Sequence, residues 1–104
     1  MPAEPQFDEA IHAPTRLRLC AMLRPLESAD FAALAETLEV SHANLSKTIR
    51  NLADLGYLTL AKRPSLERDD SRRVTSVSLT PLGRAALDGH LAALRELARA
   101  ASID

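Results

Sequence analysis

Two neighbouring stretches of the chain carry apolar residues at alternating steps of three and four positions. The stretches are FAALAETLEV and HANLSKTIRNLADL, with apolar positions Phe31, Leu34, Ala35 and Leu38 in the first and Leu45, Ile49, Leu52 and Leu55 in the second. This spacing puts the apolar side chains on one face, so each stretch predicts an amphipathic helix. Asp30 and Ser41 stand where an N-cap is expected, and Gly56 follows where a helix ends in left-handed geometry. Two short helices joined by a tight turn form a helix–turn–helix motif.

After Gly56 the pattern changes from helical to strand-like. The runs YLTLA, which begins at Tyr57, and VTSVSL, which begins at Val74, are rich in residues that favour β-strands. Between them lies the polar, charged segment RPSLERDDSRR, whose composition is typical of an exposed hairpin tip. A two-stranded ribbon after a helix–turn–helix predicts a β-wing.

Further helices are predicted on both sides of this unit. Residues 7–12 can form a short helix, and a second runs from Pro14 to about Arg24 with proline in its first turn. Thr80 caps a last helix that begins at Pro81, and its narrow apolar seam suits pairing with another helix. We therefore predict an α+β, mostly helical fold with a two-stranded β-wing and a C-terminal dimerisation helix. The predicted dimer contacts are Phe7, Ile11, Leu87, Leu91, Leu94 and Ala98.

Length and composition fit a single domain over residues 1–104, with residues 1–12 as an N-terminal arm and residues 81–101 as the dimerisation helix. Hydrophobic residues make up 46% of the chain and charged residues 26%, a balance typical of folded globular proteins. No apolar run approaches the roughly 18 residues of a membrane span, and the N-terminus is not that of a secretory signal. We expect a soluble, cytoplasmic protein with no membrane partner.

The charge of the chain is unevenly distributed, although its net value is only −1. Residues 1–40 carry three basic and seven acidic side chains, whereas residues 41–73 carry seven basic and four acidic ones. A phosphate backbone responds to local charge over a Debye length of about 8 Å, so the basic middle third is the part suited to it.

Three strings of the sequence together resemble a known group of proteins: IHAPTRLRLCAML, DFAALAETLEVSHANLSKTIRNLADLGYL and SRRVTSVSLTPLGRAAL. They are similar in layout to the small winged-helix transcription factors of the MarR and ArsR groups, over roughly residues 7–98. The resemblance implies a homodimer that binds operator DNA. It also implies that the second helix of the motif enters the major groove, with the wing near the minor groove.

The face opposite the apolar stripe of that second helix carries donors suited to phosphates and base edges. The candidate DNA-binding residues are Ser41, His42, Asn44, Ser46, Lys47 and Arg50 on this helix, and Arg68, Arg72 and Arg73 in the wing. The alternatives are an ordinary solvated helix face and, in the wing, charges that protect an edge strand. Arg16 and Arg18 are interpreted as surface or structural charges, and Arg84 as a residue that orients the last helix.

Neither a metal centre nor a catalytic site is predicted. His12, His42 and His90 are far apart in sequence, and with Cys20 they form no ligand pair at helical spacing, so we expect no cofactor. Cys20 is interpreted as a small buried apolar residue, with a redox-sensing thiol as the alternative. We expect no enzyme, because the chain has no glycine-rich phosphate loop and no recognisable nucleophile arrangement.

These observations predict a sequence-specific regulator of transcription that binds double-stranded DNA. It would be a repressor, acting as a homodimer on a pseudo-palindromic operator. One alternative is a winged-helix adaptor for protein–protein contact, which the near-neutral net charge favours. Another, compatible with DNA binding, is a sensor with a small-molecule effector of unidentified chemistry in the dimer cleft.

Overall fold

The structure, a computed structural model, describes residues 3–64 and 73–102. Its elements in chain order are α1 (Glu9–His12), α2 (Pro14–Leu23), β1 (Ala29–Asp30), α3 (Phe31–Leu38), α4 (His42–Asp54), β2 (Leu58–Pro64), β3 (Arg73–Leu79) and α5 (Pro81–Ala100). Of the candidate wing residues, Arg68 and Arg72 lie outside the described residues. Arg73 begins β3, and its side chain also lies outside the described set.

Two of the predicted capping residues, Ser41 and Thr80, cap the helices α4 and α5. Ser41 Oγ accepts the backbone N–H of Asn44 at 3.1 Å, and Thr80 Oγ1 accepts that of Gly83 at 2.9 Å. After α4 the chain turns through Gly56, whose φ of +84° lies in the left-handed region where glycine has no steric cost. Ser41 and Thr80 thus fix where α4 and α5 begin, and Gly56 fixes where the chain leaves α4.

Asp30 was expected to cap α3, but it belongs to a short strand and its side chain does not cap the helix. Its backbone is extended at the N-cap position, but its side chain makes no capping hydrogen bond. Ala29 and Asp30 form β1, in which Ala29 lies opposite Val77 and Asp30 opposite Ser76 of β3. The antiparallel sheet therefore has the order β1-β3-β2, with the predicted wing as its β2–β3 hairpin. A two-residue strand is too short to show an alternating pattern, so no sequence signal marks it.

One hydrophobic core joins the helices to the base of the wing. Its members include Leu19 and Leu23 of α2, Leu34 and Leu38 of α3, Leu45, Ile49 and Leu52 of α4, and Leu58 and Val77 of the sheet. Leu55 was predicted to continue the buried stripe of α4. It is instead the C-cap residue and is 48% exposed, because the helix ends before its side chain can face the core.

Two of the predicted dimer contacts also belong to this core. Ile11 and Leu87 have no exposed surface, because α1 and the first half of α5 pack against α2 within one chain. We therefore correct their assignment, since neither offers surface to a second copy. Phe7 is 45% exposed and Leu91, Leu94 and Ala98 are partly exposed, so these four remain available.

α5 packs directly on the backbone at the start of the wing. The N–H of Thr80 donates to the carbonyl of Tyr57 at 3.0 Å, and the Thr80 hydroxyl donates to the carbonyl of Gly56 at 2.6 Å. At Gly83 a Cβ atom would overlap the backbone of Tyr57, so glycine allows the close approach. Within the described part of the chain, no helix combines the length and apolar character needed to cross a membrane.

Candidate nucleic-acid interface

α4 has one buried and one exposed face, as its sequence predicts. Leu45, Thr48, Ile49 and Leu52 are buried, whereas His42, Asn44, Lys47 and Arg50 are exposed and Ser46 is partly exposed. The exposed side chains thus project from a helix whose opposite side is anchored in the core. Such an anchored helix can present side chains to a groove of DNA without moving relative to the rest of the domain.

The start of α4 is held by two local contacts. The Ser41 hydroxyl oxygen accepts the N–H of Asn44, which leaves the hydroxyl hydrogen free to donate to an external oxygen. The ring of His42 meets the ring of Phe31 on α3 edge-on, with centroids 5.2 Å apart and an interplanar angle of 89°. Asn44 is therefore presented from a fixed helix terminus, where recognition helices usually contact bases.

The two basic residues of this face differ in what holds them. Arg50 Nη2 lies 3.5 Å from Ser46 Oγ, one helical turn earlier, which is a long and weak hydrogen bond. Lys47 is exposed and makes neither a hydrogen bond nor an ion pair with the residues that the structure describes. Both cations can therefore reorient toward a phosphate or a guanine edge at little cost.

A groove of about 640 Å³ separates α4 from the wing. Arg50 and Asp54 line its helix side, and Lys62 of β2 and Thr75 of β3 line its wing side. Lys62 is exposed, and it is not among the candidate residues predicted from the sequence. Lys62 could have been identified from the sequence, because it is a basic residue directly after the run YLTLA and lies within the basic middle third. Arg50 and Lys62 put positive charge on both walls of a groove open to solvent.

The arginines interpreted as structural have structural contacts in two cases. Arg84 Nη1 donates to the carbonyl of Arg24 at 3.1 Å, which links α5 to the end of α2 as predicted. Arg16 Nη1 donates to the carbonyl of Ala10 at 3.2 Å. Arg18 is exposed. None of the three lines the groove between α4 and the wing.

The single cysteine and the histidines lie away from this interface, apart from His42. Cys20 has no exposed surface, and burial, followed by the nearby Asp8 carboxylate, raises the pKa of its thiol to about 11. The thiol is therefore protonated, as expected for the buried apolar residue that the sequence predicts. The fold brings His12 and His90 together although they are 78 positions apart. Among residues 3–64 and 73–102, no three His, Cys, Asp or Glu side chains form a group that could hold a metal ion.

Comparison with known families identifies the fold. A model of the winged helix DNA-binding domain family matches residues 15–98. No protein of curated function matches this sequence.

Three solved structures illustrate the similarity. A transcriptional regulator homologue from Pyrococcus horikoshii OT3 superimposes with a TM-score of 0.81 at 23% identity, covering 92% of this chain and 91% of the other. A probable transcriptional regulator from Pseudomonas aeruginosa gives a TM-score of 0.65 at 29% identity, covering 86% of this chain and 63% of the other. Lactococcus lactis ZitR, described as a zinc-responsive MarR family member, gives a TM-score of 0.61 at 21% identity, covering 86% of this chain and 58% of the other. The chain thus spans less than two thirds of the last two proteins. The predicted resemblance to winged-helix proteins is confirmed.

Proposed function

The chain belongs to the winged helix DNA-binding domain family, and from this premise we propose that it is a homodimeric repressor of transcription. It recognises a pseudo-palindromic operator in double-stranded DNA. Two copies of α4 enter successive major grooves about 34 Å apart, and the bound dimer obstructs transcription. The single-domain organisation over residues 1–104 is part of the same proposal.

The observation that carries the proposal is the exposed polar face of α4 beside a groove with basic residues on both walls. Asn44, at the start of the helix, is suited to read a base edge, because an amide can both donate to and accept from adenine. Lys47 and Arg50 reach either guanine or phosphate from the exposed face. Lys62 stands across the groove, where a phosphate of the DNA backbone would lie.

The proposed dimer rests on the apolar surface that one chain leaves exposed. Phe7 is 45% exposed and Leu97 57% exposed, and both line a groove of about 500 Å³ between the N-terminal segment and α5. Leu94 and Ala98 are partly exposed on the same half of α5. Apolar residues exposed together are typical of an interface, and a second copy supplies the same residues in return. A small-molecule effector stays a prediction.

A salt-titrated binding assay tests the proposal. Wild type and the Lys47→Ala/Arg50→Ala double variant are titrated with DNA that contains the region upstream of the protein's own gene. We expect sequence-selective binding by wild type, with an affinity that falls by a logarithmic slope of about 0.9 for each phosphate contact. The double variant should lose this binding.

Arg18→Ala is a single-charge control, because it removes one exposed positive charge that does not line the groove. It should bind like wild type. Absence of binding by a folded wild-type dimer at low salt would overturn the proposal and favour the protein–protein adaptor. Equal losses in the control and the double variant would show that net charge, and not the α4 face, drives binding.

A further inference from the structure

A buried polar cluster surrounds His90 of α5, and its residues do not line the groove between α4 and the wing. The His90 side chain has no exposed surface. The backbone N–H of Asp8 donates to its Nδ1 at 2.9 Å, and its Nε2 lies 3.1 Å from Nδ1 of His12 on α1. The ring of Phe7 meets the His90 ring edge-on, with centroids 4.6 Å apart. His90 is thus enclosed by the N-terminal segment and α1.

These contacts assign the protonation state of His90. A backbone N–H can only donate, so Nδ1 of His90 must be unprotonated to accept the bond from Asp8. The ring is then neutral, its hydrogen sits on Nε2, and that hydrogen is donated to Nδ1 of His12. With both nitrogens committed in this way, the His90 ring is not available as a metal ligand.

Asp8 extends the cluster to the root of the wing. One of its carboxylate oxygens accepts the Tyr57 hydroxyl at 2.6 Å, and the other accepts the N–H groups of Ala10 and Ile11, which caps α1. The bond to the carboxylate raises the pKa of Tyr57 to about 12. We call residues 3–8 the N-terminal latch, because they connect α5 through His90, α1 through its cap, and the wing through Tyr57. A further bond from Gln6 N–H to the carbonyl of Gly89, 2.9 Å long, completes the attachment.

Other charged groups around His90 offer little compensation for a positive charge. The carboxylate of Asp8 is already engaged by Tyr57 and the α1 cap. His12 on α1 carries no negative charge, and Cys20 on α2 stays protonated. On α5 itself, Asp88 pairs with Arg24. The other acidic residues on the two enclosing elements, Glu4 and Glu9, are exposed.

We propose that the N-terminal latch is acid-sensitive: protonation of His90 at Nδ1 turns the acceptor of the Asp8 N–H into a second donor and releases residues 3–8 from α5 and Tyr57. The proton enters at the only nitrogen of His90 that lacks one, so the Asp8 amide bond is the contact that breaks first. Where the proposed dimer forms, release also displaces Phe7 from its surface. That consequence rests on the proposed function, whereas the release itself does not.

The direction of the pH dependence follows from the burial of the ring. The pKa of His90 is lowered, mainly because the ring is buried and secondly because His12 lies beside it. The carboxylate of Asp8 raises the pKa, but this effect is smaller. A group held neutral in the folded state contributes stability in full above its ordinary pKa of about 6.5. That contribution is lost as the pH falls from there through the lowered pKa of the folded chain. The latch is therefore closed at neutral pH and opens in mild acid.

Tyrosine fluorescence of the whole chain tests the release directly. Tyr57 is the only tyrosine and the chain has no tryptophan, so the emission reports on the hydroxyl that donates to Asp8. Hydrogen bonding to a carboxylate quenches tyrosine emission, and release restores it. Between pH 8 and 4.5 we expect a reversible rise in emission with a midpoint below pH 6.5 in wild type.

Two histidine variants separate the latch from general acid effects. In His90→Asn the side-chain oxygen can replace Nδ1 as the acceptor for the Asp8 N–H but cannot be protonated, so the transition should disappear. His42→Asn, at the exposed start of α4, should keep it. A transition that survives in His90→Asn, or its absence from wild type, would overturn the proposal whatever the result of the DNA-binding assay.

A measurement on wild type alone covers the case in which His90→Asn fails to fold. Three histidines give three sets of imidazole proton signals in the NMR spectrum, one of them from the exposed His42. The signal of His90 should titrate below pH 6.5, and the Asp8 amide signal should move with the same midpoint. An Asp8 amide signal that does not change while His90 titrates would overturn the latch.

Discussion

The two longest helices, α4 and α5, follow the same amphipathic rule but leave different surfaces exposed. On α4 the large apolar residues Leu45, Ile49 and Leu52 are buried, and the exposed face is polar and basic. On α5 the exposed surface includes Leu82 at 58% and Leu97 at 57%. The difference indicates partners of different chemistry, since a polar basic face suits DNA and an apolar face suits another protein surface. It also explains how a chain of net charge −1 can belong to a DNA-binding family.

The largest effect is expected where α5 packs on the root of the wing. In Gly83→Ala the new Cβ would overlap the backbone of Tyr57, and neither backbone can move without breaking the Thr80 contacts. We expect the free energy of unfolding to fall by about 3 kcal/mol, the upper end for an overpacked site. Urea unfolding measures it.

The matched control is Gly89→Ala on the same helix, where the nearest atom outside the helix, the carbonyl oxygen of Glu4, lies 3.2 Å away. Its smaller crowding is offset by the better helix propensity of alanine, about 1 kcal/mol. The free energy of unfolding should therefore change little. Similar losses in both variants would show that helix context, and not the contact with Tyr57, makes glycine necessary at position 83.

A charge on the apolar surface of α5 should separate dimerisation from folding. Leu97→Glu places a carboxylate at the proposed contact, so we expect the dimer dissociation constant to rise at least about tenfold, equivalent to about 1.4 kcal/mol. Leu82→Glu is the control, because Leu82 is equally exposed but lies at the other end of the helix. Sedimentation equilibrium gives both constants. Equal weakening by the two substitutions would contradict the assignment of the interface to the C-terminal half of α5.

A smaller effect is expected for the wing side of the groove. Lys62→Ala should weaken DNA binding to all sequences alike and reduce the logarithmic salt slope by about 1 per protomer, as for a phosphate contact. Lys62→Arg keeps the charge and should bind nearly as wild type does. Fluorescence anisotropy over a salt series measures both. A change in sequence preference for Lys62→Ala would instead indicate contact with a base.

The smallest effect is expected at the ion pair between α2 and α5. Arg24 Nε and Nη2 donate to the two carboxylate oxygens of Asp88 at 2.9 and 3.0 Å, and this pairing lowers the pKa of Asp88. The pair therefore stabilises the fold in full above about pH 4, near the ordinary pKa of a carboxylate. This stabilisation is lost as the pH falls through the lowered pKa of Asp88. Exposed pairs contribute little, so Arg24→Gln should change only this acid limb in urea unfolding. A change near pH 6 would connect the pair to the His90 cluster.

Much of the fold could be predicted from the sequence because its signals are local. The caps at Ser41 and Thr80, the left-handed turn at Gly56 and the apolar period of α4 each depend on residues a few positions apart. The polar face of α4 follows from the same period, since residues opposite a buried stripe must face outward. The candidate residues on α4 were therefore placed correctly as exposed or partly exposed, while their contact with DNA remains a prediction.

The sequence by itself determined the helix–turn–helix, the wing and the polar face of α4, because helix periodicity and capping act over one or two turns. Only the tertiary structure decided which apolar positions of α1 and α5 serve the core, as Ile11 and Leu87 do, and which stay exposed. It also decided that His12 meets His90, that Lys62 faces Arg50 across a groove, and that Ala29 and Asp30 pair with β3. These outcomes depend on how distant elements pack, and no spacing along the chain encodes the contact of two residues 78 positions apart.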